Sequence, residues 1–307
     1  MKHISIANTG LVAPNIILGC MRIYDLSLPE IDRLVKTALE QGINFFDHAD
    51  IYGNGRCETL FSQAIGMNSR LREQMIIQSK CGIRSRKSYY DASKEHILES
   101  VDGILQRLQT DYLDLLLLHR PDALMEPEEV AEAFVTLHDA GKVKHFGVSN
   151  LHPMQIELLK KYLSLPLVVN QLQYSVVHTP MIDEGLAVNM LIDQAVDRTG
   201  HILDYCRLND LTIQAWSPFQ KGFFEGPFFQ NPACADLIAA LNKYGEQYGL
   251  DVTASTVAWI SRHPANIQTI LGTTKPERLI AAGKGSDVPM TRQEWYAIYK
   301  AAGNMVP

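Results

Sequence analysis

The chain has 307 residues, 46% of them hydrophobic and 20% charged, a composition that excludes a disordered or fibrous protein. Its 28 Lys+Arg against 34 Asp+Glu give a net charge of −6, which offers no support for nucleic-acid binding. No apolar run reaches the ~18 residues of a membrane span, and the opening MKHISIANTG lacks the apolar stretch of a secretory signal, so a cytoplasmic protein is expected. Cys20, Cys57, Cys81, Cys206 and Cys234 are scattered and form no C-x-x-C pair, as free thiols in a reducing compartment do.

In chain order, residues 3–14 read as a hairpin, with Asn8-Thr9-Gly10 as its turn. Strand-length apolar runs follow at 15–19, 43–46, 75–79, 113–118, 145–148, 167–169, 211–215 and 267–271. Several are almost continuously apolar, the mark of parallel strands covered on both faces. Stripes with helical spacing separate them at 28–39, 97–108, 130–137, 158–163, 202–208 and 237–248. Gly42, Gly141 and Gly249 each stand where a left-handed helix stop is expected. Long connections occupy 175–199 and 220–233, and 291–303 reads as an added C-terminal helix. Eight strands alternating with helices fit either an open doubly wound sheet or a closed barrel. The open form should carry G-x-G-x-x-G after its first strand, but Cys20-Met21-Arg22-Ile23 stands there, and Gly53-Asn54-Gly55 has Glu58 in place of the third glycine. A (β/α)8 TIM barrel with an N-terminal hairpin and an extra C-terminal helix, spanning 1–307 as one domain, is therefore predicted.

The strand ends carry the chemistry. Three successive runs end in Asp47, Lys80 and His119, at the level where barrels place catalytic groups, and Tyr52 follows Asp47 in a turn that can fold over the same mouth. An ammonium beside a tyrosine favours the phenolate, a carboxylate orients the ammonium, and an imidazole relays a proton or donates to an oxyanion. Such a set suits proton delivery to a carbonyl oxygen while hydride reaches its carbon. Plainer readings use the same residues: a structural Asp47–Lys80 ion pair with a core histidine, or a metal held by the run Asp47-His48-Ala49-Asp50 together with His119. The latter lacks a second histidine two residues from the first and puts Lys80 beside the ion, so no metal is expected.

The remaining strands end in neutral amides, hydroxyls and an indole: Ser149-Asn150, Asn170-Gln171, Trp216-Ser217-Pro218 and Gly272-Thr273-Thr274. These suit a carboxamide and a stacked nicotinamide ring. Lys275 and Arg278 open a helix that has Pro276 in its first turn, the usual phosphate position of barrels.

With these motifs in place the chain resembles the aldo-keto reductases over nearly its whole length. The matching stretches are Phe45 to Gly53, Ser79-Lys80-Cys81-Gly82, Asp111 to Asp122, Gly141 to Asn150, Asn170 to Ser175, Ala215 to Pro218 and Gly272-Thr273-Thr274. The resemblance implies NAD(P)H-dependent reduction of aldehydes and ketones. Tyr52 would be the general acid, Lys80 and Asp47 its tuners, and His119 the orienter and relay. Ser149, Asn150 and Gln171 would hold the carboxamide, Trp216 would stack where the family usually has Tyr, and Arg278, helped by Lys275, would take the 2′-phosphate of NADPH. NADH is the alternative cofactor. Gly272, Ala281 and Ala282 depart from the adenine contacts common in the family. Met21-Arg22-Ile23 replaces the aromatic usual after the first strand, so Met21, Arg22, Tyr24 and Arg120 are substrate-side candidates, with a cation that suits an acidic or polar carbonyl compound. Phe223, Phe224, Phe228 and Phe229 either cover the pyrophosphate, line an apolar pocket or pack as a loop. Two other functions compete: a redox-sensing subunit that holds NADPH and turns over slowly, and a metal-dependent barrel hydrolase. The sequence carries no signal for an oligomeric state.

Overall fold

The computed structural model describes residues 1–84, 87–221 and 226–307. A hairpin comes first, β1 (His3–Ser5) paired antiparallel with β2 (Val12–Pro14). The barrel strands are then β3 (Ile16–Gly19), β4 (Phe45–Asp47) and β5 (Ile76–Cys81). A small hairpin, β6 (Ile83–Arg84) with β7 (Tyr89–Tyr90), precedes the remaining barrel strands. These are β8 (Leu113–Leu118), β9 (Val143–Ser149), β10 (Leu167–Gln173), β11 (Thr212–Trp216) and β12 (Gln268–Leu271). They close in the order β10-β11-β12-β3-β4-β5-β8-β9, with every neighbouring pair parallel. The expected (β/α)8 barrel is thus the observed one.

Its outer layer contains α1 (Leu28–Glu40), α2 (Arg56–Ile65), α3 (Ser69–Arg72), α4 (Lys94–Leu108), α5 (Pro127–Asp139) and α6 (Pro153–Lys160). It continues with α7 (Pro180–Leu186), α8 (Ile202–Leu208), α9 (Ala235–Tyr248), α10 (Val252–Ser261), α11 (Pro276–Gly285) and α12 (Arg292–Ala301). Helix starts follow local chemistry: Ser27 and Glu30 form a capping box on α1, as Thr291 and Glu294 do on α12. Gly42, Gly141 and Gly249 are all left-handed, with φ of 75°, 69° and 66°.

Sequence reading did not anticipate α10 as a helix. Its residues 254–261 are all buried, so it has no wet face to impose a period. The connection at 175–199 contains α7, and of the stripe at 158–163 only residues 158–160 are helical, in a helix that starts earlier, at Pro153, behind the cap residue His152.

Two hydrophobic regions hold the barrel. Outside it, helix stripes such as Ile31, Leu34, Val35 and Ala38 pack on the outward faces of the strands. Inside, Ile17, Phe45, Ile76, Leu115, Leu117, Val169 and Ile270 form the apolar filling, which Ile270 extends up to the cleft, and Ile4, Ile6 and Ala13 of the hairpin seal it from below. At the opposite side of the wall, Trp259 of α10 and Trp295 of α12 stack with centroids 4.8 Å apart and planes 7° from parallel. Each indole Nε1 donates to the other residue's carbonyl, at 3.1 and 3.2 Å, so the C-terminal helix is locked in place with its polar atoms satisfied.

Candidate active site

The inward positions at the C-terminal ends of β4 and β5, and the residue after β8, bring Asp47, Lys80 and His119 together. Lys80 is fully buried, and its ammonium donates to Asp47 Oδ2 at 2.7 Å, the His48 carbonyl at 2.8 Å and Tyr52 Oη at 3.1 Å. All three of its protons are used. Tyr52 is held there by a tight turn in which Gly53, Asn54 and Gly55 have φ of 56°, 55° and 86°. A Cβ on Gly55 would lie 2.8 Å from Arg107 Nε, so glycine serves both conformation and space. The His119 ring stands edge-on to Tyr52, with centroids 5.8 Å apart at 82°.

Electrostatics assign protonation states. Burial disfavours the Lys80 charge, but Asp47 and Tyr52 outweigh it and raise its pKa above the ordinary value. His119 is pushed well below the imidazole range by burial, then by Lys80 and Arg120, so it is neutral. For Tyr52 the sequence suggests a lowered pKa, and the structure gives the opposite direction. Burial raises it, and the pull of Lys80 offsets only part of that, leaving a protonated phenol. Cys20 and Cys81 are buried thiols, both pushed upward by burial, which fits packing rather than reactivity.

On the other side of the mouth the amides and the indole are cross-linked. Trp216 Nε1 donates to Asn150 Oδ1 at 3.1 Å, Asn150 Nδ2 donates to Ser149 Oγ at 2.8 Å, and Ser149 Oγ donates to the Gln171 carbonyl at 3.0 Å. Asn150 and Ser217 adopt left-handed φ of 60° and 51°, a strained backbone at the rim. Gln171 donates its Nε2 inward to Asp47 Oδ1 and Gln214 Oε1, both at 3.1 Å. Its oxygen has no hydrogen-bond partner among the described residues and belongs to a side chain that lines the cleft.

The cleft over this floor has a volume of about 800 Å³. Asp47, Tyr52, His119, Ser149, Asn150, Gln171, Trp216, Ser217 and Pro218 line it, with Gly272, Thr273, Thr274 and Arg278 at one end. Met21, Arg22, Tyr24 and Arg120 line it as well. Arg22 reaches across to the Gly272 carbonyl at 3.4 Å, and the Arg120 guanidinium lies 5.6 Å from the Trp216 ring centre. Lys80 lies beneath the lining, and Lys275, the exposed cap residue of α11, stands outside it.

A sequence profile described as the Aldo/keto reductase family matches residues 15–302. The chain belongs to the aldo-keto reductase family. It is 36% identical to Oxidoreductase YdhF of Escherichia coli, over 98% of both chains. A 6-dehydroglucose reductase of Agrobacterium fabrum is 34% identical, again over 98% of each. The crystal structure of the thermostable aldo-keto reductase Tm1743 superposes with a TM-score of 0.79 at 24% identity, covering 98% of this chain and 100% of the other. This family member is accordingly an NAD(P)H-dependent oxidoreductase acting on small-molecule carbonyl compounds. No helix among its described residues is long and apolar enough to cross a membrane.

Several members of the site escaped sequence reading. Phe219 and Gln220 line the cleft from the connection after β11, and Thr253 from the first turn of α10, none of them within a motif. Phe229 lines it too, while Phe228 is buried behind with ring centres 5.0 Å apart; Phe223 and Phe224 lie outside the described residues. Gln78 donates to Asp47 and is linked through Gln214 to Gln268, and only the inward parity of these three amides could have singled them out.

Proposed function

We propose that this aldo-keto reductase uses NADPH to reduce the aldehyde or ketone of a polar small molecule, with Tyr52 as the proton donor. The observation that carries the reading is the Lys80 ammonium bridging Asp47 and the Tyr52 hydroxyl at the floor of the cleft. A substrate oxygen placed between Tyr52 and the neutral His119 meets two groups able to donate to it. As its proton leaves, the Tyr52 oxygen keeps a hydrogen bond from Lys80, which stabilises the developing phenolate, and Asp47 keeps Lys80 in register.

The opposite wall fits a nicotinamide. Gln171 presents an oxygen that can accept from a carboxamide NH2, Ser149 and Asn150 add a hydroxyl and an amide, and Trp216 offers an indole face fixed by Asn150. The bound nicotinamide supplies the hydride for the carbonyl carbon. The choice of NADPH over NADH draws support from Arg278 in the first turn of α11, a cation suited to a phosphate monoester, and from the dipole of that helix N-terminus. The polar substrate class draws support from Arg22 and Arg120 in the lining and from the relative named as a 6-dehydroglucose reductase.

Following nicotinamide absorbance with NADPH and a panel of aldehydes, including oxidised sugars, tests the reading. Turnover should be seen and should fall by about 10² or more in Tyr52→Phe. Absence of turnover with every carbonyl, or an unaffected variant, refutes it.

A further inference from the structure

One layer of the barrel interior is built from amides rather than branched apolar side chains. Asp47 and Gln78 are register partners on β4 and β5, and Gln171, Gln214 and Gln268 are register partners across β10, β11 and β12. Strands β5 and β11 face each other across the barrel, as do β4 and β10. Gln78 Nε2 spans it to Gln214 Oε1 at 2.9 Å and also donates to Asp47 Oδ1 at 2.6 Å. Gln171 makes the matching pair of bonds from the other side. Gln214 Nε2 donates to Gln268 Oε1 at 3.0 Å, and Gln268 Nε2 donates to the Pro14 carbonyl at 2.8 Å.

The ends of this chain dictate its direction. The Pro14 carbonyl can only accept, so Gln268 must donate to it and offer its oxygen to Gln214. Gln214 in turn offers its oxygen to Gln78 and Gln171, whose NH2 groups are left facing the Asp47 carboxylate, another acceptor. Gln78 accepts a cost for this orientation: its Oε1 is buried without a partner among the described residues. Reversing the Gln78 amide would turn that oxygen toward two other oxygens.

We propose that Gln78 and Gln214 are positioning residues: their amides, oriented from the Pro14 carbonyl, fix Asp47 against Lys80 and turn the Gln171 oxygen toward the nicotinamide site. The proposal rests on the reductase reading above. The first effect acts on proton supply and the second on cofactor binding, so they separate experimentally.

The experiment uses the full chain with Gln78→Met, Gln214→Met and Gln214→Glu. It measures the NADPH dissociation constant by fluorescence, and kcat across pH with para-nitrobenzaldehyde. Gln78→Met should lower kcat about tenfold with NADPH affinity held within about twofold. Its alkaline limb should move to lower pH, since burial opposes the Lys80 charge and a well-placed Asp47 sustains it. Gln214→Met should weaken NADPH binding about fivefold, because Gln171 loses one of its two anchors and keeps only Asp47. Gln214→Glu supplies the control. As a neutral acid the introduced carboxyl accepts from Gln78 and Gln171 and donates to Gln268 in the original directions. This variant should match the wild type at low pH and fall to the level of Gln214→Met as it ionises. Because it keeps every bond at low pH, it carries the test if either Met variant fails to fold. Identical behaviour of the two Gln214 variants at every pH, or parameters within about twofold of wild type in all three, overturns the proposal. If the wild type binds NADPH but reduces no carbonyl, the reductase reading falls, and the dissociation constants still decide the amide layer. If it binds no nicotinamide nucleotide, both fall.

Discussion

Asp50 offers a measurement of what the site costs the fold. It lies between Ala49 and the turn that carries Tyr52, with its backbone N–H donating to the Lys80 carbonyl at 3.0 Å and its Oδ1 buried without a partner among the described residues. Burial first, and then the nearby Glu58, push its carboxyl from 3.8 to about 7; Ser100 and Arg107 only partly oppose this. Below pH ~4 the group is protonated in both the folded and unfolded chain. Between there and about 7 only the folded state keeps the proton, so stability falls as pH rises, and above about 7 the full penalty is present. Moving a carboxyl from 3.8 to about 7 corresponds, at ~1.4 kcal/mol per pH unit, to about 4 kcal/mol. Asp50→Asn removes the ionisation while keeping the shape. Urea unfolding of both proteins at about pH 5 and about pH 8.5 should show the variant's relative stability growing by roughly 2–3 kcal/mol toward the higher pH. A difference that is flat to within ~0.5 kcal/mol between these conditions would refute the assignment of the charge penalty to Asp50.

Three other perturbations have definite outcomes. Lys80→Met leaves the Asp47 carboxylate buried without its cation, so it should cost about 3–5 kcal/mol of stability in denaturant titration and at least ~10² in kcat/KM. Arg278→Ala should raise KM for NADPH about tenfold and leave KM for NADH within about twofold, read by steady-state kinetics with each nucleotide. Gly285→Ala would put a Cβ 2.0 Å from the Ala254 carbonyl oxygen, a backbone atom of α10 that cannot step aside; a loss of about 3 kcal/mol or more is expected in thermal or urea unfolding.

Why some of this was readable in the sequence and some was not has a physical basis. The barrel strands announce themselves because both of their faces are dry, and the run Leu113 to Leu118 is an observed strand to the residue. Asp47, Lys80 and His119 were visible because an ionisable group ending an apolar run has few structural reasons to be there. The amides beneath them were silent: Gln78 and Gln214 carry no charge, and the bond between them joins strands opposite in the barrel, far apart in sequence. The rise in the Tyr52 pKa was likewise hidden, because burial is a sum over neighbours that spacing does not encode. Helix α10 was missed for the converse reason, having no polar face to set a period.

The chain's three tryptophans divide into two optical classes. Trp216 lines the cleft, whereas Trp259 and Trp295 form the stacked, reciprocally bonded pair at the back of the barrel. Quenching of the first should follow the arrival of a nucleotide, and a spectral shift of the second should follow separation of the C-terminal helix from the wall. A single unlabelled sample therefore contains two intrinsic probes, one for occupancy of the mouth and one for integrity of the scaffold, and Trp216→Phe would leave the second to be recorded alone.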